Sequence, residues 1–230
     1  MSTWEQAVEE ADKAFAKRDC KAVCEIIEKA ESDGTCHVQL MWRRARALHT
    51  LGDESLDKPE KERYAREAAV AAERAVEEDP TSAEANLWKA ICIGILCDYL
   101  TTKERMSNVY VIRDHLLRSL ELKSDNPDAL HGMGMWSLSL LQISWFERSA
   151  ASLLFGSLPT VSHEECLKYL LASHELRPSI RNCLALGNLF RYQGNWTEAK
   201  TWYQKALDIP AETHAHKQKQ DEAVQLLNSC

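Results

Sequence analysis

Small and apolar residues recur along this chain every three or four positions, and the segments that carry them come in pairs. This spacing places them on one face of an α-helix and predicts helices rather than strands. The clearest pair lies in residues 184–210, "LALGNLFRYQGNWTEAKTWYQKALDIP". Gly194 and Asn195 separate its two helices, since glycine tolerates the left-handed backbone of a helix end.

The spacing of this hairpin resembles that of the tetratricopeptide repeat, which has a period of about 34 residues. Ala45 follows Ala11 at the same period. Wherever the second helix of one hairpin is followed by the first helix of the next hairpin, the repeat spacing is kept. The extra residues of three repeats fall between the first and the second helix, as long connections or extended helices. We therefore predict an all-α, tetratricopeptide-like solenoid of helical hairpins. Long insertions would lie between the first helix (A) and the second helix (B) of a hairpin.

One such repeat cannot bury its own apolar face, so neighbouring repeats must stack on each other. We expect a single α-solenoid domain over residues 1–230. It would comprise an N-terminal helical hairpin (1–36), four repeats (37–210) and a C-terminal capping helix (211–230).

Charge and hydropathy narrow the class of partner. Residues 1–80 carry 13 basic and 19 acidic side chains, and residues 81–230 carry 15 and 16. This acidic balance is not typical of a nucleic-acid-binding protein. No apolar run reaches the roughly 18 residues of a membrane span, and no secretory signal is visible. We expect an intracellular chain whose eight cysteines are reduced.

Four segments, taken in order, resemble the regulator of microtubule dynamics family. They are "MWRRARAL" (41–48), "LWKA" (87–90), "ISWFERSAASLLFGSLP" (143–159) and "LALGNLFRYQGNWTEAKTWYQKAL" (184–207). The resemblance covers about 41–210, and the third segment is its most specific part.

The resemblance implies a non-catalytic, microtubule-associated adaptor for spindle organisation and chromosome segregation. Its partners would be microtubules (tubulin), spindle proteins or both. It would be cytoplasmic and cytoskeletal, at the spindle and spindle poles in mitosis. Some family members carry a membrane anchor, which we expect this chain to lack.

Repeat proteins of this type bind ligands in a concave groove lined by the first helices. The positions carried over to this chain are Trp42, Arg46, His49, Leu87, Ile91, Ile95, His131, Met135, Leu138, Arg181, Leu184, Asn188, Arg191 and Tyr192. This wall is apolar in the middle with arginine at both ends. It would suit an extended or helical peptide with an acidic group.

Three alternatives stay open for this groove. The chain's own insertions could fill it, a peptide-binding scaffold could use it without direct microtubule contact, or it could bind or transfer a lipid. Arg43, Arg44 and Arg46 form a basic cluster that is either a contact for the acidic microtubule surface or a solvated helix face. Similarly, Trp145, Phe146 and Phe155 either brace the repeats or form a binding surface.

Metal binding and catalysis find little support. Cys20, Cys24, Cys36 and His37 lack the paired knuckles of a zinc site. The chain has no phosphate-binding loop, nucleophile elbow or HExxH motif. We expect no cofactor, no metal and no enzymatic activity.

Overall fold

The computed structural model describes residues 3–145, 148–149, 151–152 and 156–230. Across these ranges it has eleven α-helices, one short 3-10 helix and no β-strand. This confirms the predicted all-α class. The chain divides into two compact units, Met1–Lys123 and Ser124–Cys230.

The first unit contains six α-helices in its described part. They are α1 (Thr3–Ala16), α2 (Cys20–Ser32), α3 (Val38–Glu54), α4 (Lys58–Glu78), α5 (Ala83–Leu96) and α6 (Thr102–Leu122). The 3-10 helix Cys97–Tyr99 lies between α5 and α6. Each helix packs against the next in sequence, and α3 also packs against both α1 and α5.

The second unit repeats this arrangement with five α-helices among its described residues. They are α7 (Pro127–Leu141), α8 (His163–Leu176), α9 (Ile180–Tyr192), α10 (Trp196–Asp208) and α11 (His214–Asn228). Here α9 packs against α7 and α11 as well as against its sequence neighbours α8 and α10. In both units, contacts between alternate helices are typical of stacked hairpins.

The small positions of the repeat lie in the core, which explains why the register is strict. Ala11 and Ala45 are fully buried, as are Ala199, Tyr203 and Ala206 in the last hairpin. A larger side chain at these alanines would separate helices that pack directly on each other. The tetratricopeptide-like hairpins are therefore confirmed.

The extra residues of the repeats take two forms. In the first unit they lengthen helices, since α4 and α6 each have 21 residues and only residues 55–57 separate α3 from α4. In the second unit they lie in the connection 142–162 between α7 and α8, where residues 145, 148–149 and 151–152 are helical. Trp145 in this connection is 81% exposed, whereas Phe146 and Phe155 lie outside the described residues.

Side-chain caps fix where the helices begin. Each of α2 to α11 is preceded by a side chain that accepts a hydrogen bond from a backbone N–H of the first turn. These caps are Asp19, His37, Asp57, Ser82, Thr101, Asn126, Ser162, Ser179, Asn195 and Thr213. Gly194 has a φ of 74°, so it supplies the predicted left-handed turn between α9 and α10.

Candidate functional site

Two arginines of the basic cluster are held by one carboxylate of α1. Arg43 donates from Nε to Asp12 Oδ1 at 2.9 Å and from Nη2 to Asp12 Oδ2 at 2.8 Å. Arg46 donates from Nη2 to Asp12 Oδ1 at 3.1 Å, and its guanidinium lies 3.7 Å from the centroid of the Phe15 ring. The hydrogen bond from Arg43 is the largest cause of a lowered pKa at Asp12. Asp12, which sequence reasoning missed, thus joins α1 to α3.

The third arginine points to α2. Arg44 donates to Glu28 Oε1 at 2.6 Å and to Glu31 Oε2 at 2.8 Å. Glu31 also pairs with Arg74 of α4 across 3.0 Å. The side chains of Arg43 and Arg44 are only 11% and 22% exposed. The cluster is therefore compensated by internal carboxylates and is not a free basic face.

The other predicted groove residues of the first unit divide by burial. Trp42 and Leu87 belong to the core, with exposed fractions of 7% and 1%. His49 and Ile91 are half-buried, while Ile95 is 38% exposed. The rings of His49 and Trp88 are nearly perpendicular, with centroids 5.7 Å apart.

His49 and Ile95 also line a pocket of about 150 Å³ within the first unit. Its full lining is Leu48, His49, Gly52, Asp53, Lys61, Ala65, Ala68, Cys92, Ile95, Asp98 and Tyr99. We call the buried apolar lining residues Leu48, Ala65, Ala68 and Cys92 the floor of the pocket. The exposed carboxylates of Asp53 and Asp98 form its rim. The pKa of Tyr99 is raised, first by burial and then by the charges of Asp98, Glu62 and Asp53.

The polar lining residues were missed by sequence reasoning, although one signal pointed to them. Asp53 follows the groove residue His49 by one helical turn, and Asp98 follows Ile95 in the same way. Asp53 lies in the last turn of α3, and Asp98 lies in the 3-10 helix that follows α5.

In the second unit, His131 is fixed by a buried amide. Asn182 donates from Nδ2 to the Leu170 carbonyl at 2.8 Å, so its Oδ1 faces His131 Nδ1 at 2.7 Å as an acceptor. The imidazole must therefore carry a proton on Nδ1. Burial is the main cause that lowers the pKa of His131 to about 4, and the charge of Arg181 adds to it.

Arg181 takes part in an internal ion pair as well. It pairs with Asp128 of α7, which also pairs with Arg177 at the end of α8. Burial of Asp128 opposes its ionisation, but the two guanidinium groups outweigh this, and the pKa of Asp128 is lowered. The arginine predicted to meet an acidic ligand thus already contacts an acid of the chain.

The remaining predicted residues divide between core and surface. Leu138 and Leu184 are buried in the core of the second unit. Asn188 accepts a hydrogen bond from the Tyr203 hydroxyl at 2.8 Å. The members at the surface are Met135 (42% exposed), Tyr192 (48% exposed) and Arg191.

The eight cysteines are free thiols. Cys20 is buried, Cys24 half-buried and Cys36 exposed. In the described ranges, no group of three or more His, Cys, Asp or Glu is placed to hold a metal ion. No helix found there has the length and hydropathy needed to cross a bilayer.

Comparison with known proteins identifies the family. A profile of "Regulator of microtubule dynamics protein 1-3" matches residues 7–230. The chain is 31% identical to regulator of microtubule dynamics protein 1 of Bos taurus, covering 97% of this chain and 71% of the relative. It is 32% identical to the Mus musculus protein of the same name, covering 97% of this chain and 73% of the relative.

Among solved structures, a tetratricopeptide repeat protein of Thermus thermophilus superimposes with a TM-score of 0.66. The match covers 96% of this chain and 98% of the other at 14% identity, so it bears on the fold alone. The fold, the profile match over nearly the whole length and the relatives agree. The chain therefore belongs to the regulator of microtubule dynamics family.

Proposed function

We propose that this chain is a non-catalytic, microtubule-associated adaptor in spindle organisation and chromosome segregation, at the spindle and spindle poles of the cytoskeleton. The observation that carries the proposal is the family match over residues 7–230. Both mammalian relatives are named as regulators of microtubule dynamics. A helical-hairpin fold, whose usual task is to present surfaces to partners, supports a binding role.

Partner binding is proposed to use those predicted groove residues that reach the surface of each unit. In the first unit these are His49 and Ile95, and in the second Met135, Arg191 and Tyr192. Exposed apolar side chains beside polar ones are typical of interaction surfaces. Trp42, Leu87, Leu138 and Leu184, which lie in the core, would support this surface from below.

Direct contact between a microtubule and Arg43, Arg44 and Arg46 would compete with the ion pairs that these arginines already form inside the chain. An acidic filament would have to replace the carboxylates of Asp12 and Glu31, which hold these arginines at 2.8–3.1 Å. Breaking such a partly buried, bidentate pair leaves charges unpaired and loosens α1 and α2 from α3. A partner protein that bridges the chain to the microtubule avoids this cost.

Co-sedimentation with taxol-stabilised microtubules tests the proposal. Pelleting is measured as salt rises from about 0.1 M to 1 M, over which the Debye length falls from about 10 Å to about 3 Å. We compare the Arg43/Arg44/Arg46→Ala variant with Arg63/Arg66/Arg105→Ala. Both lose three charges, but the control arginines lie on α4 and α6.

Salt-sensitive pelleting that only the first variant loses, with its helix content intact, assigns direct contact to the basic cluster. Equal loss in both variants indicates a diffuse charge effect. No pelleting at low salt rules out direct binding and favours an adaptor that needs a bridging protein. If spindle extract does not restore pelleting either, the microtubule proposal is wrong.

A further inference from the structure

We propose that the pocket of the first unit receives a lysine side chain from a partner polypeptide, with its methylene groups on the apolar floor and its ammonium between Asp53 and Asp98. The pocket is lined by α3, α4, α5 and the 3-10 helix Cys97–Tyr99. The inference does not depend on microtubule binding.

The floor of the pocket suits an aliphatic chain. Leu48, Ala65, Ala68 and Cys92 are each at most 4% exposed, so their side chains present a fixed apolar surface. Ile95 stands beside them and is 38% exposed. A volume of about 150 Å³ is below the roughly 300–1,000 Å³ of sites that hold drug-sized ligands. One extended side chain is therefore a better match than a lipid chain.

The charges at the rim favour a cation. Among the lining residues, the two carboxylates of Asp53 and Asp98 outnumber the single ammonium of Lys61. The nearest ion pair of Asp53 is His49 Nδ1 at 3.6 Å, which is too long for a hydrogen bond. Within the described part of the chain, Asp98 is an exposed carboxylate with no ion pair.

Lysine fits this arrangement better than arginine. The two carboxylates belong to different elements, α3 and the 3-10 helix, whereas a guanidinium fork pairs with the two oxygens of a single carboxylate. A compact ammonium on a four-carbon stem can approach both carboxylates from the apolar floor. The raised pKa of Tyr99, caused by burial and then by Asp98, Glu62 and Asp53, is consistent with a negative potential at the rim.

NMR titration of the 15N-labelled full chain provides the test. The probe is N-acetyl-lysine-N-methylamide, and its matched control is N-acetyl-norleucine-N-methylamide, which keeps the aliphatic stem without the charge. We expect the lysine probe to shift amides of the lining residues and to bind on the order of tenfold more tightly than the norleucine probe.

Variants assign the effect to the rim. Asp53→Asn/Asp98→Asn should weaken lysine binding to the level of norleucine, whereas Asp33→Asn, a single substitution of the same kind outside the pocket, should leave it unchanged. Lys61→Gln removes the competing cation and should tighten lysine binding about two- to fivefold. This gain cannot be produced by partial unfolding.

Two results would overturn the assignment. One is equal affinity for the lysine and norleucine probes, which would make the pocket merely apolar. The other is unchanged lysine affinity in both Asp53→Asn/Asp98→Asn and Lys61→Gln.

Discussion

Replacing Gly187 by alanine should destabilise the second unit, because α9 and α10 leave no room for a methyl group there. An ideal Cβ at position 187 would lie 2.5 Å from Tyr203 Cδ1 and closer still to Cε1. Ordinary carbon–carbon contacts lie at about 3.5–4.0 Å. The Tyr203 ring is fully buried, and its hydroxyl donates to Asn188, so the ring cannot move without loss.

Three contributions set the size of the effect. Overpacking of a filled core costs about 1–3 kcal/mol. Displacing the ring endangers the hydrogen bond to Asn188, which contributes about 0.5–1.5 kcal/mol. Alanine is favoured over glycine within a helix by about 0.5–1 kcal/mol, which offsets part of this cost. We expect a net loss of about 2 kcal/mol in the free energy of unfolding.

Gly94→Ala is the matched control, since Gly94 lies in α5 and an added Cβ there meets nothing within 4 Å. It should raise the free energy of unfolding by about 0.5–1 kcal/mol. Urea unfolding followed by circular dichroism measures both changes, and hydrogen exchange of α9 and α10 amides locates the loss in the second unit.

A double-mutant cycle identifies the cause. In a Tyr203→Leu background the ring is absent, so Gly187→Ala should cost clearly less than in the wild type. A Gly187→Ala protein as stable as the wild type would refute the close-approach explanation. Equal costs in the two backgrounds would show that Tyr203 is not what excludes the methyl group.

Two further changes test the ionic contacts of each unit. Asp12→Asn should lower the free energy of unfolding by about 1 kcal/mol, since Asp12 is half-exposed and its pairs with Arg43 and Arg46 are partly screened. The folded pKa of Asp12 is lowered. The difference in urea midpoint between the wild type and Asp12→Asn should therefore be constant above pH about 5 and narrow below pH about 4. A constant difference down to pH about 2 would contradict this. His131 is neutral and partly buried with a folded pKa of about 4, so stability should fall by about 3 kcal/mol as the pH drops from about 6.5 to about 4. His131→Gln should remove this pH dependence, and an unchanged slope would assign it to another group.

Much of the fold could be predicted because it depends on local spacing. Ala11 and Ala45 were assigned to equivalent repeat positions by period alone, and both are fully buried. The same register predicted that extra residues fall between the first and second helices of a repeat, and the described part of 142–162 does lie between α7 and α8. The sequence left open whether inserted residues form connections or longer helices.

The candidate site was less predictable because groove positions do not determine exposure. Trp42 and Leu138 occupy the same face of the repeat as Ile95 and Met135, yet the first two are buried and the last two exposed. Which of them is covered depends on the neighbouring helix and not on the repeat pattern. The acidic pocket residues were missed for the same reason.

The sequence by itself determined the helices and their pairing, since apolar period, capping side chains and turn glycines act over a few residues. It also determined the family, through the four segments that resemble it. Only the tertiary structure decided which charged side chains form ion pairs and which are exposed. Arg43 read as part of an exposed basic cluster, but its partner Asp12 lies 31 residues away in another helix. Ion pairing and burial depend on distances across helices, and a one-dimensional pattern does not contain them.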